Sequence, residues 1–567
     1  MIRISHLLAA GWLLAIFVVS CEPGGVDTSS ISTDPADIRS GEHTFAQDCS
    51  PCHSFRQDGI GPNLAGITRE ISADWIKRFI VNSQEVIDEG DPRGKELFNR
   101  FHVYMPPFGM YPEDKLDKIV AYLHTFDEAL PVEQGQEGAL LNPVVESISN
   151  SGITVPLELF TEIPFSSDEM PRTRIVKMDH IPGSDRLFVA DLRGQFYEII
   201  NQLPLLVLDL NKVYPHFIHK PGLATGFGSF AFHPDFLKNG LLYVSHTEPP
   251  NTKPADFAYA DSIKVTLQWV LSECKVKDPL ADKFEVEESE LFRINMVTGI
   301  HGMQEIAFKP DLKPSDADYG KLYVNIGDGG SAENGYTFLA DNPGTAWSAI
   351  LKIDPSGNNS ANGAYGIPSD NPFVGSSQAL PEVYAYGFRN PHRTVWDSEG
   401  RMLTTGIGHH RIEEINLIQA GHNYGWPYRE GTFLLNPFGD MNNVYPLPPK
   451  DEREYTYPIA QYDHEEGNAI SGGYEVTTDQ LPELKGKYIF GDIVRGRLFY
   501  INMGDIQPGS QAPVYEWNIS WEGAQTDLIT LCGATRVDLR FGKDAESNLY
   551  ILTKADGKIY RLLSEVL

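Results

Sequence analysis

The stretch GKLYVNIGDGG, residues 320–330, runs from a turn glycine through a short apolar and aromatic segment into an acid flanked by glycines. Leu, Tyr, Val and Ile fill a pleated strand well, and Gly and Asp interrupt one. The same order returns in DRLFVADLRG (185–194), GLLYVSHTE (240–248), GRMLTTGIG (400–408), GKYIFGDIVRG (486–496) and SNLYILTKADG (547–557). Six copies at irregular intervals suit propeller blades with variable loops better than a regular solenoid. A pair of sandwich sheets leaves six like strands over so long a stretch unexplained. The expected fold is an all-β six-bladed propeller over residues 158–567. Its loops gather around one central channel and carry the chemistry.

Ahead of it stands QDCSPCHSF, residues 47–55. The Cys-x-x-Cys-His spacing lets Cys49 and Cys52 form thioethers to one haem while His53 turns its imidazole onto the iron. Taken alone, the same residues also suit a chance pair, a zinc half-site or a redox dithiol. Pro62, in GIGPNLAGI (59–67), offers a carbonyl of the sort that fixes a ligand histidine's tautomer. Then YMPPFGMYPEDKLDKIVAYLHTF sets a thioether on a Pro-Pro loop, followed by Leu116, Ile119, Val120 and Leu123 at helical spacing. Residues 38–130 resemble a small all-α class I cytochrome c domain with one covalent haem c. The resemblance implies Met105, in the MPPF loop, as the sixth iron ligand, ahead of Met110 and His102.

The chain has 567 residues, more than one ordinary core holds, and a net charge of -31. That charge argues against nucleic acid and against an electrostatic grip on anionic lipid. At the N-terminus, Arg3, an apolar run from Leu7 to Val19 and Ser20 before Cys21 read as a secretory signal over residues 1–21. Its VVSC ending resembles a bacterial lipoprotein signal, which implies lipidation of Cys21 and a lipid anchor on a membrane's periplasmic or cell-surface side. Cleavage to a soluble N-terminus and retention as an uncleaved anchor are the alternatives. Residues 22–37 read as a flexible tether and 131–157 as a linker between the domains. Of five cysteines, Cys274 and Cys532 remain, either paired or as two separate thiols.

The segment YAYGFRNPHRTVWDSEGRMLTTGIGHHRIEEINLIQAGHNYGWP, with SFAFHPDF, NIGDGG and SGGYEV, resembles the glucose/sorbosone dehydrogenase family. The resemblance implies pyrroloquinoline quinone (PQQ) bound on calcium, and oxidation of a sugar hydroxyl. Residue by residue, it implies His301 as general base and Asp328 as the carboxylate orienting it. It places Arg389 and Asn390 beside the quinone, Arg536 on a cofactor carboxylate and Arg495 near a quinone-contacting lysine's place. The backbone carbonyls of Gly408 and His409 fall where calcium is bound, and Glu413 where relatives carry an active-site carboxylate. The chain departs from the pattern at Ala224, at Val494 and in the HGMQ loop after the base, changes that bear mostly on substrate recognition. The whole implies a membrane-anchored quinohaemoprotein dehydrogenase. It would oxidise an aldose or related polyol and pass electrons through its own haem to a cytochrome or another respiratory carrier. The rival readings are a propeller without cofactor, binding a ligand or partner as hedgehog-interacting proteins of this fold do, and an electron-transfer lipoprotein whose propeller only docks a partner.

Overall fold

The computed structural model describes residues 26–45, 49, 53, 55, 61–101, 105, 107–109, 111–128, 138–140, 142–168, 171–220, 224–448, 451 and 453–564. The N-terminal part is helical. Asp34 caps the helix Pro35–Thr44 by accepting from Ala36 N, with proline at the first helical position. Ser72 caps Ala73–Val81 in the same way. The helix Glu113–Leu123 buries Leu116, Ile119, Val120 and Leu123, as their spacing predicts. Ile119, Val120 and Leu123 pack with Phe45, Phe55 and Ile76. The expected tether over 22–37 is too long, because Ile31 belongs to this core and the first helix begins at Pro35.

Among the described residues, the remainder is mainly β-structure, in four four-stranded sheets, one nine-stranded sheet and one small three-stranded sheet. Each of the six repeated motifs forms the second strand of a group: Leu187–Asp191, Leu241–Glu248, Leu322–Ile326, Met402–Gly406, Lys487–Asp492 and Leu549–Thr553. The first strands are Ile175–His180, Ser229–Phe232, Glu305–Phe308, Pro391–Trp396, Ile470–Glu475 and Leu539–Lys543. Each packs against the first strand of the next group, and the last packs against the first, so the inner strands close a ring.

The β-domain begins earlier than residue 158. Ser149–Glu162 pairs in parallel with Tyr515–Trp521 and antiparallel with Lys558–Leu562. It thereby ties the start of the β-domain to its end and merges two groups into the nine-stranded sheet. Before it, Leu140 N donates to Val444 O, Val144 N to Asp463 and Ile148 N to Glu466. The linker is thus pinned to the loops beside His464.

Antiparallel pairing places the site. Glu305 opposes Asn325, Pro391 opposes Gly406 and Leu539 opposes Thr553. Within each group, therefore, the loop entering the first strand and the loop leaving the second lie at the same end. His301, Arg389 and Arg536 sit on entering loops; Asp328, Gly408 and Arg495 sit on leaving loops.

Candidate active site

His301 precedes the strand Glu305–Phe308 with φ of 52°, a left-handed conformation rare outside glycine. Its neighbours leave no room for another loop path: a Cβ on Gly302 would fall 1.8 Å from Trp269 Nε1, and one on Gly327 would fall 2.4 Å from the His301 carbonyl. The imidazole Nδ1 lies 2.7 Å from Asp328 Oδ1. Asp328 is fully buried. Its two oxygens also accept from Gly330 N at 2.8 Å and Trp426 Nε1 at 3.0 Å. A carboxylate held from three sides fixes the histidine as the Nδ1–H tautomer and leaves Nε2 basic. Burial and the nearby Arg389 hold this histidine below its usual value, against the opposing pull of Asp328. It therefore stands neutral, as a base must.

Arg389 follows on the loop entering Pro391–Trp396, and its carbonyl accepts from Asp328 N at 2.8 Å. Its Nε and Nη2 donate to Glu333 at 3.1 and 2.5 Å, and Nη1 donates to the Gly408 carbonyl at 2.5 Å. The His409 ring reaches the same Glu333 oxygen at 3.0 Å. Burial would raise the Glu333 carboxyl, but Arg389 and His409 carry it well below the usual range. Behind the loop, Glu430 Oε1 accepts from the backbone N–H groups of His409, His410, Arg411 and Ile412. Three buried polar atoms here have no hydrogen-bond partner among the described residues: Asn390 Oδ1, His409 Nε2 and Glu430 Oε2.

The other expected residues divide. Arg495 closes the 464–468 loop, donating to Asn468 Oδ1 and to the carbonyls of Glu465 and His464. Arg536 pairs with Asp538. Glu413 is buried and accepts from His464 Nε2 and Ile470 N, and burial raises its carboxyl despite His464. Val494 is buried beside Arg495. Cys274 and Cys532 are free thiols in separate clusters.

In the helical domain His53 N donates to Cys49 O at 3.0 Å. His53 Nδ1 lies 2.9 Å from Pro62 O, which makes it the protonated nitrogen and leaves Nε2 with the lone pair for a metal. A Cβ on Gly61 would fall 2.4 Å from His53 Cε1, so glycine is required against this ring. Met105 is held by its carbonyl, which accepts from Ser83 Oγ at 2.9 Å. Cys52, Met110, His102 and Cys21 lie outside the described residues, as does the apolar run from Leu7 to Val19. Among the described residues no helix is long and apolar enough to cross a membrane.

Sequence reasoning missed Glu333, Trp426 and Glu430. Each binds a residue that was expected, yet Glu333 and Arg389 are 56 positions apart and Trp426 and Asp328 are 98 apart. The one local signal was the tryptophan inside GHNYGWP.

The family model described as Glucose / Sorbosone dehydrogenase matches residues 175–561. A second, described as Cytochrome C oxidase, cbb3-type, subunit III, matches residues 36–123. HIPL1 protein of Arabidopsis thaliana is 28% identical over 444 residues, 68% of this chain and 60% of its own. Quinoprotein glucose dehydrogenase B of Acinetobacter calcoaceticus is 24% identical over 344 residues, 53% of this chain and 61% of its own. The chain thus spans about three-fifths of these relatives' lengths. A solved structure titled glucose dehydrogenase shares the fold with a TM-score of 0.50 at 19% identity, covering 72% of this chain and 99% of its own.

Proposed function

We propose, from the premise that this chain belongs to the glucose/sorbosone dehydrogenase family and carries a cytochrome c domain at its N-terminus, that it oxidises a hydroxyl group of an aldose or related polyol. The observation that carries this reading is the neutral His301 locked by Asp328 at the head of the channel. His301 Nε2 takes the hydroxyl proton as the carbon gives up hydride, and Asp328 stabilises the imidazolium that forms. Arg389 has its charge matched by Glu333, so it contributes orientation and hydrogen bonding rather than net charge.

PQQ supplies the two-electron acceptor when bound, and haem c a one-electron carrier. The orphaned Asn390 Oδ1 and His409 Nε2 fit the N–H and carbonyl groups of such a quinone. His53, with Pro62 behind it and Gly61 beside it, fits a haem. Calcium does not fit the site as it stands. The Gly408 carbonyl, one of the two expected to hold the ion, already accepts from the Arg389 guanidinium.

The ring of six inner strands supports a six-bladed propeller. The linker pinned at Val444, Asp463 and Glu466 supports electron transfer within the chain, because it holds the helical domain on a leash beginning at the site's own face. Lipidation of Cys21, an exported location at a membrane surface and delivery to a respiratory carrier complete the proposal. The acidic surface leaves no role for nucleic acid.

The test is reconstitution of the purified full chain with PQQ, followed by absorbance of the haem through a panel of aldoses. At least one sugar should reduce it. Cys49→Ala with Cys52→Ala should abolish that signal while a dye still accepts electrons. A chain that binds no PQQ and oxidises no sugar would favour the second reading, a ligand-binding propeller, which the engaged Gly408 carbonyl supports.

A further inference from the structure

Away from the channel, a cavity of about 350 Å³ opens at the outer side of the ring, between the second and third groups. The outermost strands there are Val286–Met296 and Val383–Tyr386. Phe257 lies along the first of them, with its N–H donating to Arg293 O and its carbonyl accepting from Asn295 N. Glu382 directly precedes the second strand and borders the cavity with Asp256, Phe257, Asn362 and Tyr365. Phe257 and Tyr365 both stand edge-to-face with the buried Phe292, at centroid distances of 5.2 and 5.7 Å. The wall is aromatic.

Its polar side chains have acceptors to spare and no free donors. Asn362 Nδ2 spends both hydrogens, on Asp256 Oδ1 at 2.9 Å and on Leu291 O at 2.8 Å. The Tyr365 hydroxyl spends its one hydrogen on Glu382 Oε1 at 2.9 Å. Asp256 Oδ2 accepts from Arg293 N at 2.9 Å, and a carboxylate oxygen has room for a further donor. Glu382 is only 4% exposed, yet its Oε2 has no hydrogen-bond partner. Both carboxylates act on the same hydroxyl: after burial, Glu382 and then Asp256 raise Tyr365 above its ordinary value. Among the described residues, no lysine, arginine or histidine lines the cavity. Elsewhere in the domain a buried carboxylate has cations of its own, as Glu305 has Lys177 and Arg393. A buried carboxylate without a counter-ion is costly, and aromatic walls favour a cation.

We propose that this cavity is a second ligand site and takes an organic ammonium ion. The ligand's N–H groups meet Glu382 and Asp256, and its apolar body lies against Phe257 and Tyr365. A neutral sugar is the poorer match, because its oxygens would find no side-chain donor there. The site stands whether or not the chain oxidises a sugar.

The test is titration calorimetry on the purified full chain near neutral pH, with benzylammonium, its neutral isostere benzyl alcohol, and glucose as probes. Benzylammonium should bind saturably and at least about 10-fold more tightly than benzyl alcohol, and glucose should not compete with it. Glu382→Gln should weaken benzylammonium about 10- to 100-fold, the loss expected for one hydrogen bond between charged groups, and leave benzyl alcohol unchanged. Glu382 also holds Tyr365, so a second variant spares that contact. Ala361→Trp, at the exposed rim of the cavity, should obstruct it and weaken benzylammonium at least about 10-fold without lowering the melting temperature. Absence of saturable binding, or benzyl alcohol bound as tightly as benzylammonium, would overturn the site. So would an affinity unchanged in Glu382→Gln or, should that variant not fold, in Ala361→Trp.

Discussion

Arg389 and Arg540 are both buried at the inner ring, and only one of them has a carboxylate of its own. Around Arg389 the burial cost is outweighed by Glu333 and Asp328, and the guanidinium is raised above its ordinary value. Around Arg540 burial dominates, Asp538 only partly offsets it, and the group is pushed down to about 9. One arm of the site is complete within the protein. In the other, Arg540 gives its one hydrogen bond to the adjoining Leu539 carbonyl and has no carboxylate of its own. The difference separates a charge cluster completed within the protein from a buried guanidinium that is not.

Four measurements can break or sharpen that contrast. The largest effect belongs to His301→Ala, which removes the base and should lower dye-linked sugar oxidation on the order of 100- to 10,000-fold. The haem spectrum should not change; wild-type haem reduction in this variant would remove His301 from the mechanism. Next comes Glu333→Gln, which leaves Arg389 buried and unmatched. By denaturant unfolding it should cost on the order of 3 kcal/mol. A loss below the error of the measurement would mean that the completed arm owes nothing to its charge pairing.

Lys554→Met should act in the opposite direction. Lys554 is buried, and burial and then Arg540 drive its ammonium well below the ordinary value. With no partner to orphan, relief of cationic crowding should raise the ligand-free melting temperature by about 1–3 °C. Marked destabilisation would show that the cation is paired after all. The smallest expected effect is a displacement of the acid limb of the kcat/KM profile. Since burial and Arg389 depress the His301 value, activity should persist as pH falls through about 6.5, where an ordinary histidine charges. The same sign holds for folding: the unfolded histidine binds its proton first. The stability this residue contributes is therefore present above that pH and lost below it, toward the lowered folded value. An acid limb above 6.5 would mean that Asp328 outweighs burial.

How much of this was legible beforehand follows from the range of the interactions. The six strands could be read because each is a local matter of apolar, aromatic and β-branched residues between turn formers, and all six fall at the same place in their groups. His53 and its Pro62 acceptor could be read for the same reason, being nine positions apart. The helix Glu113–Leu123 announced its buried face through helical spacing. The resemblance to a family singled out His301, Asp328 and Arg389, which the fold does bring together.

Other features have no local signal. A glutamate in GGSAENGY looks like any surface acid until the fold sets it under Arg389 and His409. The family resemblance set Arg495 near a quinone-contacting position, yet its guanidinium closes the 464–468 loop, because three acceptors from that loop converge on it. The early start of the β-domain was equally hidden, since Ser149–Glu162 becomes a strand by finding Tyr515–Trp521 and Lys558–Leu562 at the far end of the chain. Strand formation and the contact of His53 with Pro62 depend on neighbours along the chain, and residue order alone conveys them. Which buried cation meets a carboxylate, and which is left without one, depends on the closure of the ring, which brings residues hundreds of positions apart into one low-dielectric channel.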